Sequence, residues 1–251
     1  MKKYIFIIIA LISVSNLLAI PNDSLIYKAN KEYSEGLYND AIENYLKVID
    51  NGYESSELYY NIGNSYFKIN DMASAILYFE KAKNISPNDE DIIFNLNVAN
   101  SKIADKIETV PELFYVRWWN TFYMLFSVDT WAKITIFIFI LTLIFASIFF
   151  LSSIKNLKKF SFWIGIILLL LSIFTFGLSS QKYYYSKKYN EAIVFTSTLT
   201  IKSSPNKNSV DLFVIHEGAK VLILDKVDNW YEIRIANGSI GWLPCSAVKR
   251  I

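Results

Sequence analysis

This chain of 251 residues contains one cysteine and one histidine, and those two scarcities remove most enzyme chemistry at once. Cys245 cannot form an intramolecular disulfide, so any exported part must rest on its own apolar core. No acid–nucleophile pair surrounds His216, which is expected at a solvated turn. There is no nucleophile elbow, no HExxH, no paired Cys/His cluster and no phosphate loop. No catalytic residue, metal ligand or cofactor is therefore expected. Charge of one sign is not in excess over the whole chain, with 25 basic and 23 acidic residues. Locally it is: residues 20–110 carry 8 basic and 15 acidic residues, residues 111–189 carry 8 and 2, and residues 190–251 carry 7 and 6. An acidic N-terminal region repels phosphate backbones, which argues against nucleic acid as a partner.

Apolar residues, by contrast, are abundant, at 53% of the chain and a mean hydropathy of +0.27. Three stretches account for the excess. Residues 1–19 begin with Lys2 and Lys3, run through apolar Tyr4–Val14 and end on Leu17-Leu18-Ala19. That is the order of a secretory signal peptide, either cleaved or kept as an anchor. No cysteine lies near the cut, so a lipoprotein anchor of the usual kind is excluded. Residues 132–153 and 160–179 each supply the ~20 apolar residues that cross a bilayer core. Lys133 is the only charge in the first, and the second has none. The link 154–159 holds Lys155, Lys158 and Lys159, so the two helices form a hairpin whose link is cytoplasmic. Counting crossings from an exported N-terminus places residues 20–131 and 180–251 on the outer, periplasmic side of a bacterial inner membrane.

Residues 56–89 read SELYYNIGNSYFKINDMASAILYFEKAKNISPND. Tyr59, Ile62, Gly63 and Tyr66, then Ala75, Phe79 and Ala82, then Pro87, resemble the tetratricopeptide (TPR) repeat, a pair of antiparallel helices with a 34-residue period. Gly63 and Ala75 fall where the helices cross closely, and Tyr59, Tyr66 and Phe79 fill the space around the crossing. One period upstream, Gly36, Tyr38, Ala41, Ile42 and Tyr45 take the places of Asn70, Met72, Ala75, Ile76 and Phe79. A TPR domain over 20–110 follows, with repeats at about 22–55 and 56–89 and a capping helix at 90–108. Such a domain makes a groove for another polypeptide. The groove-facing offsets hold Asn30, Tyr33, Tyr60, Asn61, Asn64, Phe67, Lys68 and Phe94. Side-chain amides can grip a peptide backbone by donating and accepting at once. The places where carboxylate-clamping repeats carry cations hold Ile26, Asp91 and Asn95, so aromatic burial should dominate. The acidic surface should favour a neutral or basic partner.

Residues 111–131, PELFYVRWWNTFYMLFSVDTW, put Phe114, Trp118, Phe122, Leu125 and Phe126 on one helical face. This reads either as a helix in the outer membrane interface, leading to a membrane helix capped by Asp129, or as a further helix packed on the last repeat. Tyr183, Tyr184 and Tyr185 would form a matching belt.

From residue 191 the period changes to short β-rich runs: Ala192–Thr196, Leu199–Lys202, Leu212–Ile215, Val221–Asp225, Trp230–Ile235 and Ile240–Leu243. Asn237-Gly238 signals a type I′ hairpin. The order LTIKSSP (199–205), Glu217-Gly218, Asn229-Trp230-Tyr231 and GWLP (241–244) resembles the bacterial SH3-like domain. Lys202 and Ser204 stand where that family usually has Arg and Gly. Candidate ligand-face residues are Lys202, Ser204, Trp230, Tyr231 and Trp242, with core packing the other reading of both tryptophans. Cys245 is expected as a small packing residue.

The expected fold class is thus a multi-domain membrane protein, with an all-α TPR solenoid, a two-helix transmembrane hairpin and an all-β SH3-like barrel over 191–251. That order of modules, together with NLNVAN (95–100), Asp105-Lys106-Ile107-Glu108, Pro111-Glu112, Arg117-Trp118-Trp119 and Asp129-Thr130-Trp131-Ala132, resembles BatE-type proteins of the aerotolerance (Bat) operon. The resemblance implies a membrane complex with other Bat-type proteins, including von Willebrand factor A-type members, and an indirect link to a MoxR-type ATPase. It also implies a role in aerotolerance, stress or envelope integrity. The leading expectation is a non-enzymatic scaffold whose groove binds a partner polypeptide. The alternative is a peptidoglycan-binding sensor or anchor acting through the SH3-like domain.

Overall fold

The computed structural model describes residues 20–106, 113–188 and 190–251. The expected signal peptide at 1–19 lies outside these. Five helices come first: α1 (Ile20–Ser34), α2 (Tyr38–Asp50), α3 (Ser56–Lys68), α4 (Met72–Ile85) and α5 (Glu90–Lys102). Their starts are set by short polar caps. Ser55 Oγ accepts from Leu58 N at 3.1 Å, and Asp89, one repeat later, accepts from Asp91 N and Ile92 N at 3.1 and 3.2 Å. Such caps satisfy amides that the first helical turn leaves unpaired. Gly63 explains why α3 and α4 cross so closely: a Cβ there would meet Phe79 Cδ1 at 2.6 Å. Ala41, Tyr45, Ile62, Ala75, Phe79 and Ala82 are all buried around these crossings.

A short amphipathic helix follows, α6 (Phe114–Met124), and then two long apolar helices, α7 (Val128–Leu151) and α8 (Lys155–Lys188). Ser127 caps α7 through Thr130 N at 3.2 Å. Asp129, expected at that cap, instead lies in the first turn. The chain reverses over residues 152–154, so the three lysines expected in a link occupy the opening turns of α8, which also runs on through Tyr183 and Tyr184. Both helices are long and apolar enough to cross a membrane. They are joined by a hydroxyl contact, Thr135 Oγ1 to Thr175 Oγ1 at 3.0 Å.

Seven strands close the chain: β1 (Asn190–Val194), β2 (Thr198–Lys202), β3 (Asp211–His216), β4 (Lys220–Val227), β5 (Trp230–Arg234), β6 (Ile240–Pro244) and β7 (Val248–Arg250). They form one antiparallel sheet in the order β3-β2-β6-β5-β4-β1-β7. The expected SH3-like barrel is therefore corrected: the sheet is open, because the terminal strands β3 and β7 do not pair. Each of these edges is engaged by the helical module instead. Asp105, just beyond α5, accepts from His216 N at 2.5 Å at the end of β3, and Ile251, just past β7, packs into the core around α4. The β5–β6 turn also departs from expectation. Gly238 has φ +90°, but Asn237 does not take positive φ, and Gly238 N bonds to Ile235 O at 2.9 Å. A longer loop with a single left-handed residue replaces the type I′ turn.

The repeats and the sheet share a core. Ile193 is fully buried beside Ile76, Phe79, Leu96 and Ala99, with Phe195 and Ile103 packed against the same cluster. Gly218, at φ +87°, allows the approach, since a Cβ there would meet Ile103 Cγ2 at 2.5 Å.

Candidate functional site: the groove of the helical repeats

The inner helices α1, α3 and α5 bring Tyr33, Tyr60, Asn64, Phe67, Lys68, Phe94, Asn95 and Val98 around a groove of about 380 Å³. The local reason is periodicity. Tyr60, Asn64 and Phe67 stand at i, i+4 and i+7 on one face of α3. Tyr33 and Phe67, Tyr60 and Phe94, and Asn64 and Val98 are each one repeat apart. Six of the eight residues expected from sequence thus share this groove. The other two lie beside it: Asn30 Oδ1 accepts from Tyr45 Oη at 2.5 Å and from Asn61 Nδ2 at 3.5 Å. Of the α5 wall, sequence reasoning placed Phe94 in the groove but not Asn95, which it set at a flanking offset, nor Val98. Asn95 Nδ2 donates to Tyr60 Oη at 2.9 Å and Asn64 Oδ1 at 2.8 Å. The 34-residue offset does equate Asn95 with Asn61 and Val98 with Asn64, but it does not say which of them face the groove.

Phe94 is 66% exposed on this wall, an uncovered aromatic ring, whereas Tyr60 packs its inner side on Phe79 in a tilted contact, 5.9 Å between centroids. Burial, with Tyr38 and Tyr60 nearby, raises the Tyr33 pKa, so this phenol remains a hydrogen-bond donor at neutral pH. Lys102 holds its ammonium 4.3 Å over the Phe67 ring, and Lys68 lines the same end. Two cations therefore stand at one end of a groove in a module that is acidic overall.

The sheet separates its candidate residues. Tyr231 faces the core, with Ile233, Ile201 and Leu243, and its hydroxyl accepts from Arg250 Nη2 at 3.0 Å. Trp230, Lys202 and Trp242 alternate onto the opposite face, where Trp242 is register partner to both Lys202 and Glu232. Both tryptophans are half-buried and lie outside the sheet's core cluster. Lys202 pairs with Asp211, and Ser204 is exposed on the β2–β3 loop. Cys245 is partly buried against the sheet core.

The contact between modules was not legible in sequence. Lys220 Nζ lies 3.0 Å from Glu80 Oε2 and 2.7 Å from Glu191 Oε2. Burial works to lower the Lys220 pKa, but the two carboxylates together outweigh it, and the ammonium titrates above the ordinary lysine range. His216, expected to be solvated, has Nδ1 2.7 Å from Asp105 Oδ1. Among the described residues no cluster of three His, Cys, Asp or Glu could hold a metal ion.

Residues 56–89 match the tetratricopeptide repeat. That segment is α3 and α4 with their closing loop. Residues 197–248 match the bacterial SH3 domain, from the start of β2 to the start of β7. No curated protein matches the chain. TPR and SH3 domains are non-catalytic interaction modules, and the chain joins them through two helices fit to cross a membrane. The protein is a non-enzymatic, membrane-associated protein of the interaction and scaffold kind.

Proposed function

We propose that the TPR groove binds a stretch of a partner polypeptide and so assembles a Bat-type envelope complex linked to aerotolerance or stress. The observation that carries this reading is the groove itself, open, aromatic on three helices and set with the Asn64–Asn95 amide pair. Peptide-binding surfaces draw most affinity from a few buried aromatic anchors, and Phe94 is such an anchor left uncovered. An acidic side chain on the partner fits the Lys68–Lys102 end. The order of modules supports other Bat-type membrane proteins as partners, von Willebrand factor A-type members among them, with a MoxR-type ATPase acting indirectly. The leader-like residues 1–19 and the lysines at the start of α8 support TPR and SH3-type domains on the periplasmic side of the inner membrane.

The test replaces Phe94 with a photo-crosslinking residue in the full chain in its native membrane. A single partner adduct is expected, lost in an Asn64→Ala/Phe67→Ala double mutant that retains its fold. An adduct of equal yield in that mutant would show that Asn64 and Phe67 do not hold the partner, and no adduct in either protein would place the binding surface elsewhere.

A second reading, cell-wall binding, is favoured by the Lys202–Trp230–Trp242 face, which the dock to the repeats leaves free. Sedimentation of the detergent-solubilised protein with purified peptidoglycan tests it, with loss expected for Trp242→Ala.

A further inference from the structure

Helix α6 has an outward face that neither module covers. Phe114, Trp118 and Tyr115 are 77%, 71% and 55% exposed. With Arg117 and Thr121 they line a shallow depression of about 550 Å³. The C-terminal end of the helix and the turn after it are engaged, and there Phe122, expected on one face with Phe114 and Trp118, is drawn into the contact. Phe122 packs on Trp131 at 5.8 Å between ring centroids, and Trp131 Nε1 donates to the Tyr123 carbonyl at 3.3 Å. Lys182 Nζ donates to the Phe126 carbonyl at 2.6 Å. Trp131 stands in the first turn of α7 and Lys182 near the end of α8. Helix α6 is therefore fastened to the end of the hairpin where the chain enters and leaves the apolar spans.

We infer that this face of α6 lies in the headgroup layer of a phospholipid bilayer, with Phe114, Tyr115 and Trp118 against the upper acyl carbons and the Arg117 guanidinium on a lipid phosphate. Amphipathic aromatic rings partition to that depth. The face continues the membrane-contacting surface of the hairpin rather than standing apart from it. Arg117 pairs with no carboxylate among the described residues, and its planar set of donors suits a phosphate. Asn88 Nδ2, in the loop after α4, donates to the Leu125 carbonyl at 2.5 Å, so a seated α6 also fixes the height of the repeats above the bilayer. None of this depends on what the groove binds.

The test uses the full chain in nanodiscs of phosphatidylcholine and phosphatidylglycerol, in a Cys245→Ser background. Spin labels are placed at Phe114→Cys, Trp118→Cys and, as an aqueous reference, Glu57→Cys. Labels at 114 and 118 are expected to collide more with molecular oxygen than with a water-soluble nickel chelate, and the label at 57 the reverse. Adding Arg117→Glu should move the label at 118 toward the nickel-accessible range. Nickel access at 114 and 118 equal to that at 57 would overturn the inference, and so would shielding from both reagents, which means a protein covers the face. Should a cysteine variant misfold, quenching by headgroup-proximal brominated lipid is compared between the wild type and Trp118→Phe. A smaller quenched fraction in Trp118→Phe supports the inference, and an unchanged one overturns it.

Discussion

Single side chains decide whether the repeats close. Gly63 leaves no room for a Cβ against Phe79, whose Cδ1 and Cε1 would lie 2.6 and 2.7 Å away. Gly63→Leu should destabilise the repeat module by ~1–3 kcal/mol or more, read as lost hydrogen-exchange protection across α3 and α4 while α7 and α8 stay protected. Tyrosines make the same core sensitive to alkali. Burial first, then Tyr33 and Glu32, pushes Tyr45 up to about 12, and burial first, then Tyr66 and Asp50, does the same to Tyr78. A phenol whose pKa is raised by folding stabilises fully below its unfolded value, near 10. That contribution is lost as pH climbs from there through about 12. Absorbance titration should therefore show these two phenols ionising late and together with unfolding of the repeats. Titration near pH 10 with the repeats still protected would contradict their burial. Gly63 and Phe79 were legible because the repeat period repeats its packing. The Lys220–Glu80–Glu191 cluster was not, since its members are 140 and 111 residues apart in the chain and no local pattern marks them.

At the scale of elements, periodicity foretold the helices of the repeats, the two apolar helices and six of the seven strands better than it foretold what their edges meet. The one cap expected, Asp129, gave way to Ser127, whereas the two apolar helices and the six strand runs follow from local composition. Barrel closure does not, because it depends on whether the edges of β3 and β7 find each other or find the helices. Here Asp105 takes the end of β3 and the repeat core takes Ile251. The seventh strand, Val248–Arg250, escaped notice because three residues carry too little period to read. The dock on α4 is apolar at its centre, so Ile193→Asp should break it by placing a charge in a fully buried site. The expected result is protease access to the sheet module at temperatures where the wild type resists. Normal resistance would show that the dock contributes nothing to stability. In the same contact Lys220→Met leaves Glu80 and Glu191 facing each other. That variant should dock less tightly than the wild type, read as protease access to the sheet module at lower temperature.

Over the whole molecule, the dock constrains topology as well as stability. Modules that share one core lie on one side of a membrane, which requires the chain between them to cross an even number of times. In a Cys245→Ser background, an impermeant thiol reagent applied to intact cells should label Glu57→Cys and Lys207→Cys and spare Asn156→Cys. Labelling at Asn156 with protection at the other two would reverse the orientation, and opposite labelling of Glu57 and Lys207 would be incompatible with the dock. Sequence supplied the order of modules and an expectation of the side that each would occupy. It gave no sign that the first and last modules touch, because their contact spans two membrane helices. That contact turns the chain into a closed ring: repeats, α6 and α7, then α8, then the sheet, and back to the repeats. A load applied to a polypeptide held in the groove therefore does not hang from one helix. It divides between α7, which carries the repeats, and α8, which carries the sheet. Drawing either helix out of the bilayer would first require the dock to tear, so the hairpin stands on two legs joined at the top.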